Sequence, residues 1–215
     1  MGESLRALQE GGADLVHWDV MDGCFVPNLT FGAPMVNAAR RECTLPFDVH
    51  LMVANPLLLV EQLRPAPEDV ILFHPNAVDD VAEVARAITA KGCKWGVAIN
   101  PDRPVEEALQ EAVVKGGASV ILVMSVFAGF AGQDFIADSV QRIRQVAENA
   151  SVRKYGIVVA VDGGITAENA EAVVRAGARI LVSGSYLINA EADPKDRIAT
   201  LRRAAERGLA PLSPP

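Results

Sequence analysis

The chain has three histidines, and His17, His50 and His74 each stand near the end of a short apolar run. Residues two apart in an extended strand share a face. In VHWDVMDG, His17, Asp19 and Met21 therefore point one way, and Val16, Trp18 and Val20 the other. FDVHLMV repeats the pattern with Asp48, His50 and Met52, and VAVDGGI closes its run on Asp162. Two imidazoles and two carboxylates from three strand ends, His17, Asp19, His50 and Asp162, make a mixed nitrogen and oxygen set. Such a set suits one divalent ion, Zn²⁺, Fe²⁺, Mn²⁺ or Co²⁺, with positions left open for a substrate. It does not choose among the four metals. A single buried histidine is more often a hydrogen-bonded core group than a ligand; the coincidence of all three at strand ends is what points to a metal site. His74, in FHPNA, has no second neighbour of ligand type and reads as pocket lining or structural. Met21, Met52 and Met124 fall inside strands, where methionine either fills core gaps or lines a reactive pocket.

A second chemistry lies in glycine-rich turns. GFAGQDF (Gly129 to Phe135), DGGI with Gly163 and Gly164, and SGS from Ser183 to Ser185 follow three successive apolar runs. Turns of this kind that lead into helices expose backbone N–H groups, which bind phosphate without lysine. One Gly-Gly pair is more often a turn than a site, but glycines after the last strands of a barrel lie where phosphate sites concentrate.

These residues need a scaffold that brings strand ends together. Apolar, β-branched runs recur at Asp14 to Met21, Phe47 to Val53, Val70 to His74, Lys94 to Asn100, Ser119 to Val126, Ile157 to Asp162 and Ile180 to Ser185. Helix-patterned segments lie between them, among them Val78 to Lys91, Pro104 to Lys115, Phe135 to Asn149 and Ala167 to Ala176. The alternation predicts parallel strands joined by right-handed crossovers. GGADLV, GGASVI and AGARIL repeat a glycine helix stop followed by a strand start. Seven strands with eight helical segments, the first helix preceding any strand, predict a TIM (β/α)8 barrel one strand short, in a single domain over 1–208 with a tail over 209–215. An open doubly wound sheet is disfavoured because no GxGxxG follows an early strand.

Of the 215 residues half are hydrophobic, which supplies a sizeable core. The net charge of -7 argues against a nucleic-acid partner or an anionic membrane surface, so any phosphate must be bound locally. Cys24, Cys43 and Cys93 form no CxxC pair and fit a reducing cytoplasm. MGESLRALQEGG reads as a short amphipathic helix and not a signal peptide, and the apolar stretch from Val120 to Ala131 is too short and broken to span a membrane. Asn28-Leu-Thr30 and Asn149-Ala-Ser151 match glycosylation sequons that are expected to be fortuitous.

HWDVMDGCFVPNLTFG, DVHLMVANP, GVAINPDRP, LVMSVFAGFAGQDF, VDGGIT and SGS, in this order over nearly the whole chain, resemble the successive signatures of the ribulose-phosphate 3-epimerase family. The resemblance implies a ribulose-phosphate-binding barrel that interconverts D-ribulose 5-phosphate and D-xylulose 5-phosphate. It implies one divalent metal on His17, Asp19, His50 and Asp162, no organic cofactor, and Asp19 and Asp162 as acid and base. The backbone at Gly129, Phe130, Ala131, Gly132, Gly163, Gly164, Gly184 and Ser185 would hold substrate, chiefly its phosphate, and His50 would also touch the sugar. A small-molecule ketose phosphate is the expected partner, and a homo-oligomer the expected assembly. Three departures stand out. Nothing matches the usual opening strand resembling PSILSAD, so the chain is expected to start late, to be a fragment, or to close through a partner, with two strand edges left unpaired. Cys24 replaces the usual histidine after VMDG, and Phe127-Ala-Gly-Phe-Ala-Gly-Gln133 replaces NPGFGGQ. FHP and GFAGQ also resemble the allulose 6-phosphate 3-epimerases, which keeps that substrate, and a non-catalytic truncated barrel, as alternatives.

Overall fold

The computed structural model describes residues 1–114, 117–188 and 193–209. Its elements are α1 (Gly2–Glu10), β1 (Val16–Met21), α2 (Ala33–Ala39), β2 (Phe47–Met52), α3 (Pro56–Gln62), β3 (Val70–Phe73), a 3-10 turn (Pro75–Ala77), α4 (Val81–Ala90), β4 (Lys94–Ile99), α5 (Val105–Val114), β5 (Val120–Met124), α6 (Ser139–Glu148), α7 (Ala150–Tyr155), β6 (Val158–Asp162), α8 (Ala170–Ala176), β7 (Ile180–Val182) and α9 (Pro194–Leu209). The strands form one parallel sheet in chain order, β1 to β7, curled into a nearly closed TIM-type barrel. Among the described residues β1 and β7 do not pair with each other, so the ladder is one strand short of a closed eight-stranded barrel. α1 and α9 pack on one another across that side.

Period-two alternation sorts the side chains as the sequence predicts. Val16, Trp18 and Val20, with Phe47, Val49 and Leu51, face outward into the layer shared with the helices. Leu72, Ala98, Leu122, Met124 and Ala160 fill the barrel interior. Strands buried on both faces have no polar side to advertise, which explains runs such as Val-Ile-Leu-Val-Met.

Each predicted strand is present but shorter at its ends; Ser125 and Val126, for instance, leave the ladder after Met124. The predicted helix from Phe135 to Asn149 is corrected to α6, which starts only at Ser139, and α7 follows it where no helix was expected. Asn149 takes an extended conformation, and its side chain accepts N–H bonds from Ser151 and Val152, which starts a second helix where the first ends. α9 runs to Leu209, where the sequence reading starts the tail, and 210–215 lie outside the described residues. Gly116 of the repeated helix stop also lies outside them.

At the N-terminal end of the strands Asp69 is buried and fully engaged. It accepts the Phe47 and Ala66 N–H groups at 2.7 Å each. Arg40 Nη2 reaches its two oxygens at 2.8 and 2.7 Å, and that guanidinium lies 3.5 Å over the Phe47 ring. The network pins β2, β3 and α2 together at the end away from the glycine turns.

Candidate active site

The β1 to β2 register sets His17 beside Asp48 and Asp19 beside His50, and β5 sets Met124 beside Asp162 of β6. Curling the sheet then brings His17, Asp19, His50 and Asp162 together, with one donor atom from each within 4.8 Å of all the others. His17 Nε2 lies 3.2 Å from Asp19 Oδ1 and 3.9 Å from Asp162 Oδ2, and His50 Nδ1 lies 3.4 Å from Asp19 Oδ1. The second nitrogen of each imidazole is held from behind: His17 Nδ1 is 2.8 Å from Asp48 Oδ2, and His50 Nε2 is 2.9 Å from His74 Nε2.

This environment drives the two carboxylates apart. Burial opposes ionisation of Asp19, but its contacts with His17 and His50 outweigh that and hold it far below the ordinary carboxylate range. Burial pushes Asp162 up to about 6, with the charge of Asp19 adding to the rise and that of His17 working against it. Burial also pulls His17 toward neutrality, yet the Asp48 charge and the bonds to Asp19 and Asp48 hold its pKa well above the usual value. His74 has no such partner, and burial next to His50 pushes it well below, so it is neutral. Two carboxyl groups of opposite proton affinity around one spot are what acid and base exchange requires.

A cavity of about 450 Å³ opens beside them. Its wall includes His17, Asp19, Asp162, Met21, Met52 and Met124, and all of the turn positions singled out from sequence, 129 to 132, 163, 164, 184 and 185. It also continues between the edges of β1 and β7 to Leu8 of α1 and Leu201 of α9. His50 is not among the lining residues; it is fully buried behind Asp19.

Gly163 and Gly164 show why that turn must be glycine. Their φ angles are 119° and 62°, and a Cβ would sit 2.5 Å from Val126 Cγ2 at the first and 2.7 Å from the Phe135 nitrogen at the second. Both the left-handed backbone and the closeness exclude side chains. Among the described residues none of the three glycine turns runs straight into a helix: α6 starts at Ser139, beyond Phe135, α9 starts at Pro194, and α8 starts at Ala170, after a turn closed by Asn169 donating to the Gly164 carbonyl at 2.8 Å. After β7 the chain makes a turn on the Gly184 carbonyl, which accepts from Leu187 and Ile188.

Several bracing residues escaped the sequence reading. Asp48 was visible there on the same face as His50, but its bond to His17 spans 31 positions. The Ser125 hydroxyl donates to the Gly163 carbonyl at 2.6 Å and ties the end of β5 to that of β6. Gln133 donates to the Phe127 and Phe130 carbonyls at 2.7 and 2.8 Å and closes its own loop. Asn28 donates to the Gly129 carbonyl at 2.6 Å, while Asp22 accepts from Cys24, Phe25 and Ala54. Both sequon asparagines are thus occupied in loop and cap bonds. Polar loop residues of this kind carry no periodic signal.

Comparison with known proteins fits this geometry. The description "Ribulose-phosphate 3 epimerase family" matches residues 1–188. This chain belongs to the ribulose-phosphate 3-epimerase family. It is 40% identical over 185 residues to ribulose-phosphate 3-epimerase of Treponema pallidum, covering 86% of this chain and 84% of that one. It is 38% identical over 205 residues to the enzyme of that name from Chlamydia trachomatis serovar D, covering 94% and 87%. Among solved structures, a thiamine phosphate pyrophosphorylase from Pyrococcus furiosus superposes with a TM-score of 0.66 at 22% identity, over 97% of this chain and 91% of that one. At that identity the likeness speaks for the barrel alone. No described helix is long and apolar enough to cross a membrane.

Proposed function

We infer that this family member is an isomerase that epimerises a ketose phosphate at C3, interconverting D-ribulose 5-phosphate and D-xylulose 5-phosphate. The observation that carries the reading is the pair of carboxyl groups, Asp19 and Asp162, brought together with His17 and His50 at one end of a cavity walled with glycine turns.

Epimerisation removes a proton from one face of a carbon and returns one to the other, which needs two carriers on different sides. Asp19 from β1 and Asp162 from β6 take those roles. Ionised Asp19 can accept a proton, Asp162 can deliver one, and the roles exchange for the reverse reaction. The carbanion left at C3 delocalises into the neighbouring carbonyl as an enediolate, a charge that must be stabilised.

His17, Asp19, His50 and Asp162 fit a divalent metal by their donor chemistry, and His50 Nδ1 is a buried nitrogen without a hydrogen-bond partner on the side of that cluster. An ion bound there supplies Lewis-acid stabilisation for negative charge on the substrate oxygens. The backbone at 129–132, 163–164 and 184–185 cradles the phosphate, with no lysine or arginine required. Met21, Met52 and Met124 shape the apolar wall. The site needs no organic cofactor, and three free cysteines, two of them buried, suit a reducing compartment such as the cytoplasm.

The test is to follow turnover of D-ribulose 5-phosphate and of D-allulose 6-phosphate by this chain, before and after chelation. The expected result is preference for the pentulose and loss of turnover on chelation. Faster turnover of the hexulose, or activity indifferent to chelator, contradicts the reading.

A further inference from the structure

We propose that His74 is the positioning residue that selects the tautomer of His50 and so determines which nitrogen His50 offers to a divalent ion. The proposal rests on reading His17, Asp19, His50 and Asp162 as one metal site and deepens that reading.

His50 and His74 are both fully buried. Their Nε2 atoms lie 2.9 Å apart, with ring centroids at 5.0 Å. A nitrogen-to-nitrogen contact of that length needs one proton between the rings, so one Nε2 donates and the other accepts. His50 Nδ1 faces Asp19 Oδ1 at 3.4 Å, a contact without hydrogen-bond geometry. A ligating nitrogen must present a lone pair, which puts the His50 proton on Nε2 and makes His74 the acceptor. The His74 proton then sits on Nδ1, which is likewise buried without a partner. Phe25 packs on the His74 ring, centroids 4.9 Å apart, and fixes its plane.

The other imidazole of the cluster is oriented differently. His17 Nδ1 donates to the Asp48 carboxylate at 2.8 Å, which leaves Nε2 toward Asp19 and Asp162. Asp19, Asp48 and Asp162 already concentrate three acidic groups in a buried space, and a further carboxylate behind His50 would add like charge where burial makes repulsion costly. A neutral imidazole accepts the same proton without that charge. It is also a weaker acceptor, so the two histidine ligands are not equivalent.

The experiment titrates the full chain with Co²⁺ alone, as wild type, His74→Phe and His74→Gln, and records the exchangeable ring N–H proton resonances that bound cobalt shifts. Two such resonances are expected in the wild type, one from His17 Nδ1–H and one from His50 Nε2–H. His74→Phe keeps the ring packing but not the acceptor and should weaken cobalt binding by about 10- to 100-fold and abolish one resonance. His74→Gln, whose amide oxygen can accept, should stay within about threefold and keep both. Wild-type cobalt affinity in His74→Phe, or failure of His74→Gln to restore what the phenylalanine loses, overturns the proposal. The wild type alone also decides it: a single ring N–H resonance in the cobalt-loaded protein overturns it without any variant. A wild type that binds no cobalt refutes the metal-site reading itself, an outcome distinct from all of these.

Discussion

Asp48 and Asp69 are buried carboxylates in one barrel, 3% and 1% exposed, yet they are partnered in opposite ways. Asp69, at the N-terminal end of the strands, takes two backbone N–H bonds and the Arg40 guanidinium on its two oxygens. Around Asp48, on the same strand face as His50, Asp48 Oδ1, His50 Nδ1 and His74 Nδ1 have no partner among the described residues. Burial is the same in both places, but satisfaction is not. A closed network fixes the fold, whereas buried polar atoms left open carry a cost that a folded chain tolerates where a ligand is to complete them. This contrast separates a carboxylate that holds elements together from one that backs the His17 side chain of the candidate site.

The contrast breaks most sharply if the carboxylates of the open cluster turn out to serve stability. Asp162→Asn and Asp19→Asn should each lower kcat by about 10²- to 10⁴-fold, the usual contribution of a positioned proton carrier, with the unfolding midpoint close to wild type. Steady-state turnover beside circular dichroism melting checks both halves. At the closed end the effect should fall on the other quantity. Asp69→Ala strands Arg40 and two backbone donors and should cost about 3 kcal/mol of stability in urea unfolding, while Co²⁺ affinity stays unchanged. Gly164→Ala tests the glycine wall: forcing a side chain into a left-handed backbone beside Phe135 should cost about 1–3 kcal/mol and raise KM for the sugar phosphate.

The smallest effect concerns Asp22, whose carboxylate accepts three backbone N–H bonds that hold its pKa below the ordinary value, although burial opposes this. The folded state then releases this proton more readily than the unfolded chain. The resulting stability is fully present above the unfolded carboxyl value, roughly 3.9, and is lost as pH falls through the lower folded value. Asp22→Asn should flatten that part of the stability profile measured by unfolding at several pH values. An unchanged slope would remove Asp22 from the set of loop braces.

Residue alternation made much of this legible. The two faces of VHWDVM, the glycines of DGGI and the parallel order all follow from period two and turn chemistry, because those rules are local. What stayed hidden is non-local or aperiodic. The Asp48 bond to His17 and the His74 bond to His50 join neighbouring strands through side chains whose partners register alone decides. The second helix, α7, turns on one cap: Asn149 restarts a helix just where the predicted one ends. Asn28, Ser125 and Gln133 brace loops from positions where any polar residue would look the same in sequence. His74 had a visible signal, its place at a strand end, but its role depends on a single contact with the neighbouring strand.

In the proposed reaction two carboxyl groups carry protons to and from opposite faces of one carbon. Turnover in deuterium oxide, with C3 of substrate and product read by nuclear magnetic resonance, tests it most directly. Solvent deuterium at C3 of the epimerised product, abolished by chelation, is the expected result. Asp19→Asn and Asp162→Asn should each fail to epimerise while exchanging C3 of different epimers. Product that retains its original C3 hydrogen, or two variants that exchange the same epimer, would contradict it.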